Sequence, residues 1–136
     1  MRKIDEIIIH CSATKEGVDF RASDIDRWHR QRGFKCIGYH YFIRLDGTVE
    51  KGRDESMVGA HCQGHNAHSI GICYCGGLDK NGKAKDTRTI QQKAALWKLI
   101  CDLREKYGYI PVVGHNFYNK GKECPSFKAE EEYNEQ

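Results

Sequence analysis

Three residues of the sequence are types that hold zinc: His10, His115 and Cys124. His10 closes an apolar run, Ile7-Ile8-Ile9. His115 follows a second run, Val112-Val113-Gly114, and Cys124 comes nine residues later. Two imidazoles and one thiolate leave the fourth tetrahedral position open, as in a catalytic site rather than a closed structural one. Zinc held in this way activates water and polarises a carbonyl oxygen, chemistry suited to amide hydrolysis. Spacing alone leaves a purely structural role open for each residue, because the three are far apart in the chain.

A second group competes with the first. His61, Cys62, His65 and His68 place four potential ligands within eight residues. Gly64 and Asn66 mark the segment as a loop, so the alternative is a histidine-rich loop lining a cleft. Adjacent His61 and Cys62 diverge on an extended backbone and do not easily address one metal. Tyr39 and His40 fall on a predicted strand and point to opposite faces. One of them can reach a cleft as acid, base or hydrogen-bond donor; the alternative is a half-buried sheet aromatic. Lys122, near Lys120 in a loop, can set a cation beside developing negative charge, or be an ordinary solvated lysine.

The elements that must position these groups follow from patterning. Glu6 to Cys11 reads as a buried strand ending in the polar loop Ser12-Ala13-Thr14. Ser23 and Asp26 resemble a capping box, opening a helix to about Gln31 with Ile25, Trp28 and His29 on its core face; Gly33 ends it. Tyr39 to Arg44 and Thr48-Val49-Glu50 flank Asp46-Gly47, a strong hairpin signal. Ser69 to Cys75 reads as a central strand closed by Gly76-Gly77, and residues 79–83 as a turn. Thr89 and Gln92 form a capping box for a helix to Tyr107, with Gly108 as its stop. On that helix Ile90, Ala94, Trp97, Cys101 and Arg104 recur at helical spacing, widened by Leu96, Ile100 and Leu103. Pro111-Val112-Val113 is a short strand delivering His115. Residues 129–136 read as a charged tail, with one or two frayed helical turns at most, after a domain of residues 1–128. Alternating strands and helices with one hairpin predict an α/β domain built on a mixed sheet covered by helices.

Composition sets the bounds. The 136 residues, 39% hydrophobic and 30% charged, fit one globular domain. No apolar run nears the ~18 residues of a membrane span. Ile7-Ile8-Ile9, preceded by Asp5 and Glu6, is too short and its flank too acidic for a secretory h-region, so synthesis in the cytoplasm is expected. A net charge of +3 excludes a strongly electrostatic nucleic-acid binder. Seven cysteines, an odd number with no CxxC pair, read as free thiols of a reducing compartment. Cys73, Cys75 and Cys101 read as core residues, while Cys11 and Cys124 stand in polar company.

The candidate residues lie in recognisable settings. His10-Cys11-Ser12-Ala13-Thr14, Gly38-Tyr39-His40-Tyr41-Phe42-Ile43 and Asp46-Gly47-Thr48-Val49 with Gly52-Arg53 are three of them. Val58-Gly59-Ala60-His61, residues 66–72, Gly114-His115 and Cys124-Pro125-Ser126-Phe127 complete the series. In this order the sequence resembles the N-acetylmuramoyl-L-alanine amidases, especially phage lysozymes that are amidases. Peptidoglycan recognition proteins share that family. The resemblance runs from about residue 5 to residue 127.

It implies a central mixed β-sheet flanked by helices, with one zinc ion in a surface groove. The amide between N-acetylmuramic acid and the L-alanine of the stem peptide would be hydrolysed. His10, His115 and Cys124 would be the ligands and Tyr39 and Lys122 the catalytic pair. His40, His61, His65, His68 and Asn66 would contact substrate. Tyr39 would serve as a base only if zinc and Lys122 lowered its ordinary pKa. The implied partner is peptidoglycan or a muropeptide, bound by a monomer, with no nucleic acid or membrane. The enzyme would reach the wall on lysis or through a holin, or process recycled muropeptides in the cytosol. The alternatives are a muropeptide-binding module without activity, or a regulator of an RNA polymerase, as some phage lysozymes are. Two departures stand out: Asn116-Phe117-Tyr118-Asn119 replaces the Arg-Asp of many relatives, and His65 stands where an aromatic such as tyrosine is usual. The intact ligand triad sets the chain apart from relatives that only bind.

Overall fold

The computed structural model describes residues 2–134. Its strands are β1 (Glu6–Cys11), β2 (Thr14–Lys15), β3 (Tyr41–Ile43), β4 (Val49–Lys51), β5 (Ser69–Tyr74), β6 (Gly77–Leu78) and β7 (Val112–Gly114). Its helices are α1 (Ala22–Gln31), α2 (Ile90–Tyr107), α3 (His115–Tyr118) and α4 (Ala129–Tyr133), with a single 3-10 turn at Asn66–His68. The main sheet runs β4-β3-β5-β1-β7, parallel throughout except for the β3–β4 hairpin, and β2 pairs with β6 beside it. This is the mixed α/β architecture that the sequence predicts.

β1 and β5 are buried along their whole length, as central parallel strands must be. Alternation along them divides the core. Ile7 and Ile9 of β1 and Ile70, Ile72 and Tyr74 of β5 pack with Leu96, Ile100 and Leu103 of α2. On the other face Cys73 and Cys75 pack with Ile25 of α1, Ile37 and Phe42, while Ile8 meets Cys62 and Val113. The two-residue period puts His10 on the face of Ile8, away from α2. The capping box of α2 forms as expected: the Gln92 N–H donates to Thr89 Oγ1 (3.0 Å) and the Thr89 N–H to Gln92 Oε1 (2.9 Å).

Three details differ from expectation. The buried stripe of α2 is Gln92, Leu96, Ile100 and Leu103, whereas Ile90 and Trp97 are 84% and 53% exposed and Cys101 is also exposed. The cause is Gln92, whose amide donates to the carbonyls of Cys75 (2.9 Å) and Ile43 (3.3 Å). A satisfied polar residue therefore leads the core face, and the competing apolar stripe turns outward. In α1 the cap lies two residues earlier: the Arg21 N–H donates to the Asp24 carboxylate (2.8 Å), while Asp26 receives the Ile37 N–H (2.7 Å).

Residues 129–133, read as part of a charged tail with a frayed helical turn or two, form α4, which is docked and not frayed: Ala129 and Tyr133 are buried in the main core; residues 135–136 lie outside the described residues. Arg88 clasps this helix. Its guanidinium donates to Glu132, Asp86 and the Tyr133 hydroxyl, and stacks over the Phe127 ring at 3.5 Å. Burial works to raise the Asp86 carboxyl, but Arg88 outweighs it and holds that group below the usual range. Arg88 is also the leading cause of the lowered Glu132. Carboxylates depressed in the folded state contribute stability that is complete above their ordinary value of about 4 and is lost as pH falls below it. Arg88→Leu should cost about 2 kcal/mol, between the values for exposed and fully buried pairs. It should also flatten the loss of stability below about pH 4, measured by urea unfolding across pH.

Candidate metal centre and active-site groove

The site is built by strand register. Ile9 lies opposite Gly114 in the parallel β1–β7 ladder, so the residues that follow them, His10 on β1 and His115 at the start of α3, emerge side by side. Their ring centroids are 4.8 Å apart. Cys124 reaches the same point from the loop after α3. The Cys11 N–H donates to its sulfur (3.2 Å), and the Asn116 N–H donates to its carbonyl (2.8 Å). The donor atoms of His10, His115 and Cys124 all lie within 4.8 Å of one another, with Cys124 Sγ 3.7 Å from His10 Nδ1. These residues could hold a divalent cation, and their donor set suits zinc.

The imidazoles are prepared for that role. Burial, reinforced by His61, His115 and His29, pushes His10 well below its ordinary value, so the ring is neutral. Burial and then Lys122 lower His115. His10 Nε2 meets His61 Nδ1 at 2.8 Å, and His61 Nε2 faces Ser69 Oγ at 3.3 Å. If His10 offers the Nδ1 lone pair to a cation, its proton sits on Nε2 and is donated to His61. His61 then carries its own proton on Nε2, towards Ser69. Burial, with His40 and His115 adding to it, pushes His61 down to about 3, consistent with this neutral relay. Such outer partners fix the tautomer and aim of a metal-binding histidine. Glycines make room for His61: a Cβ at Gly71 would come within 2.7 Å of its ring, and one at Gly59 within 2.6 Å. On the sulfur side, the Cys11 thiol and burial push the Cys124 thiol up, so in the chain alone it keeps its proton. A coordinated cation deprotonates such a thiol.

These residues line a groove of about 650 Å³ together with Trp28, Arg32, Phe34, Gln63 and Asn66. That volume suits a small-molecule or short-chain ligand. Tyr39 and Lys122 both line it, with the Tyr39 ring 5.0 Å from His10. Burial, with the Cys73, Cys124 and Cys11 thiols adding to it, pushes the Tyr39 hydroxyl far above its ordinary value. In the chain alone it is a hydrogen-bond donor and not a base.

Of the expected substrate contacts, His61 and Asn66 line the groove, the latter accepting the backbone N–H groups of His61 and Cys62 (both 2.9 Å). His40 does not, because it is fully buried: its Nδ1 accepts the Gly71 N–H (3.0 Å) and its Nε2 faces the Met57 carbonyl (2.8 Å). His65 and His68 are also absent from the groove lining, since they turn towards the carboxylates of Glu6 and Asp5. Trp28 of α1 and Arg32, just past its end, were not expected in the site; Trp28 reads as core, and Arg32 carries no sequence signal. In the segment after His115, Asn116 Nδ2 donates to the carbonyls of Glu123 and Phe127 (both 3.3 Å).

Comparison with known proteins agrees with this geometry. Residues 1–127 match a family described as N-acetylmuramoyl-L-alanine amidase. The endolysin of Enterobacteria phage K11 is 40% identical over 126 residues, covering 93% of this chain and 83% of the relative. That of Escherichia phage T7 is 42% identical over 123 residues, covering 90% and 81%. Among solved structures, the N-acetylmuramoyl-L-alanine amidase LysC from Clostridium intestinale URNW superposes with a TM-score of 0.79 at 32% identity, covering 91% of this chain and 77% of that one.

The hydrogen bond from His10 to His61 has a measurable consequence. His61→Phe removes the acceptor, and Gly71→Ala displaces the ring that provides it. Both should weaken zinc binding at this centre about 10–100-fold, read by competition with a chromophoric chelator.

Proposed function

The chain belongs to the N-acetylmuramoyl-L-alanine amidase family, and from that premise we propose how it acts: as a zinc-dependent endolysin using His10, His115 and Cys124 as ligands. The reaction is hydrolysis of the amide between N-acetylmuramic acid and the L-alanine of the peptidoglycan stem peptide. The observation that carries the ligand assignment is the convergence of three zinc-type donor atoms within 4.8 Å in the groove. Bound there, zinc supplies Lewis acidity that activates water and polarises the scissile carbonyl.

The chain's own residues do the rest. His61 holds His10 in the tautomer that offers Nδ1. The Tyr39 hydroxyl donates a hydrogen bond across the centre, orienting the attacking water or the carbonyl oxygen. Water adds to the lactyl carbonyl carbon, and negative charge gathers on the oxygen. The Lys122 ammonium, exposed at the groove rim beside His115, meets that charge. The C–N bond then breaks, leaving a lactyl carboxylate and a stem peptide with a free L-alanine amine. Trp28 and Phe34 give an apolar wall against which substrate can lie.

The proposed partner is polymeric peptidoglycan, engaged by a monomer once lysis gives access to the wall. Among the described residues no helix is long and apolar enough to cross a membrane.

Purified peptidoglycan incubated with the protein should release stem peptides beginning at L-alanine, identified by mass spectrometry. A chelator should stop release and added zinc restore it. Cys124→Ser should abolish cleavage while the fold persists; full activity in that variant would overturn the ligand assignment. Lys122→Met should lower kcat about 100-fold with little change in KM, as expected for a group that acts on transition-state charge.

A further inference from the structure

Apart from the groove, a second set of metal-ligating side chains converges at the N-terminal end of β1. We propose that Glu6, His65 and His68 bind a second divalent transition-metal ion of the zinc class, which fastens the 62–68 loop to β1. Their donor atoms all lie within 4.8 Å of one another. Glu6 Oε2 is 3.3 Å from His65 Nδ1 and 3.1 Å from His68 Nδ1. Ligand atoms bound at zinc's usual N and O distances in a tetrahedron are about 3.4 Å apart. The carboxylate and the two imidazoles are therefore already spaced as two edges of that figure.

The charge balance points the same way. The Glu6 side chain is only 5% exposed. Among the described residues, the basic groups within ion-pair distance of it are these two histidines. A buried carboxylate needs compensation by a cation or by hydrogen bonds. Its other oxygen, Oε1, accepts the Tyr118 hydroxyl, and the Tyr118 ring stacks on His65 at 3.6 Å. Oε2 and the His65 ring are thus held in place by α3. Asp5 Oδ1, half-exposed, lies 2.7 Å from His68 Nδ1 and steadies that ring beside Glu6 without joining the converging set. Imidazole with carboxylate favours zinc, cobalt or nickel over magnesium or calcium.

The site is separate from the groove. Glu6 and His10 share a face of β1 four residues apart, about 13 Å along the strand, so the two cannot share an ion. The connection between the centres is mechanical: the loop that carries His65 and His68 begins beside His61, the partner of His10.

The test uses the full chain, stripped of metal, reloaded at micromolar Zn2+ or Co2+ and assayed for metal content. Wild type should hold two equivalents, Glu6→Gln one, Cys124→Ser one and the double variant none. With cobalt, the thiolate-to-metal charge-transfer band should survive Glu6→Gln and vanish in Cys124→Ser. Added zinc should raise the Tm of Cys124→Ser but not that of the double variant. His68→Gln gives the same reading if Glu6→Gln does not fold. One equivalent in wild type, unchanged by Glu6→Gln, would overturn the second site and leave the amidase reading intact. Second-site occupancy only at millimolar metal would also overturn it. Loss of the charge-transfer band from wild type itself would instead count against the groove ligands.

Discussion

β1 is paired on both sides, to β5 and to β7, and the groove exists because of that double pairing. Ile9 sits opposite Ile72 on one side and Gly114 on the other. A slip of β1 by one residue would turn His10 towards α2 and away from His115. The register is enforced by what lies on the α2 face. Ile7, Ile9, Ile70 and Ile72 are wholly buried there against Leu96 and Ile100. Hydrophobic burial of one face thus fixes which side chains reach the other, and hydrogen bonds there then set their aim.

On the polar face, order comes from saturation of hydrogen bonds. His10, His61 and His40 are crowded together and kept neutral by burial. Each neutral imidazole needs one donor and one acceptor partner. His40 accepts the Gly71 N–H on Nδ1, while its Nε2 faces both the Met57 carbonyl and the Arg2 guanidinium. Gly71 in turn leaves the space in which His61 lies. Removing one partner would leave a buried nitrogen unsatisfied, which costs more than the bond itself contributes. This makes Gly71 and His40 supports of the site although neither lines the groove.

These interactions explain what could be read in the sequence and what could not. The strand ends bearing His10 and His115, the Asp46-Gly47 hairpin and the Thr89–Gln92 cap are local patterns, and each was legible. The convergence of His10, His115 and Cys124 came from ordered motifs and not from spacing, because register is a long-range property. The rotation of α2 was hidden for a related reason. Gln92 belongs inside only because two sheet carbonyls await it, and nothing near position 92 announces them. His65 and His68 read as cleft residues, since their partner Glu6 lies some sixty positions away and itself reads as an ordinary strand residue.

The C-terminal helix shows the same dependence from the opposite end of the chain. β7 is a three-residue edge strand, and an edge this short is held weakly by its ladder alone. Asn134 completes it: its Nδ2 donates to the Val112 carbonyl (2.7 Å) and its Oδ1 accepts the Val112 N–H (2.9 Å). A side-chain amide thereby takes the place of a missing neighbouring strand. Glu130 receives the Gly114 N–H at 3.4 Å, one residue before His115. Arg88 holds α4 against this edge through Glu132 and Tyr133. The position of a metal-type ligand is therefore tied to an ion pair at the far end of α4, and loosening that clasp should relax His115 before it unfolds the sheet.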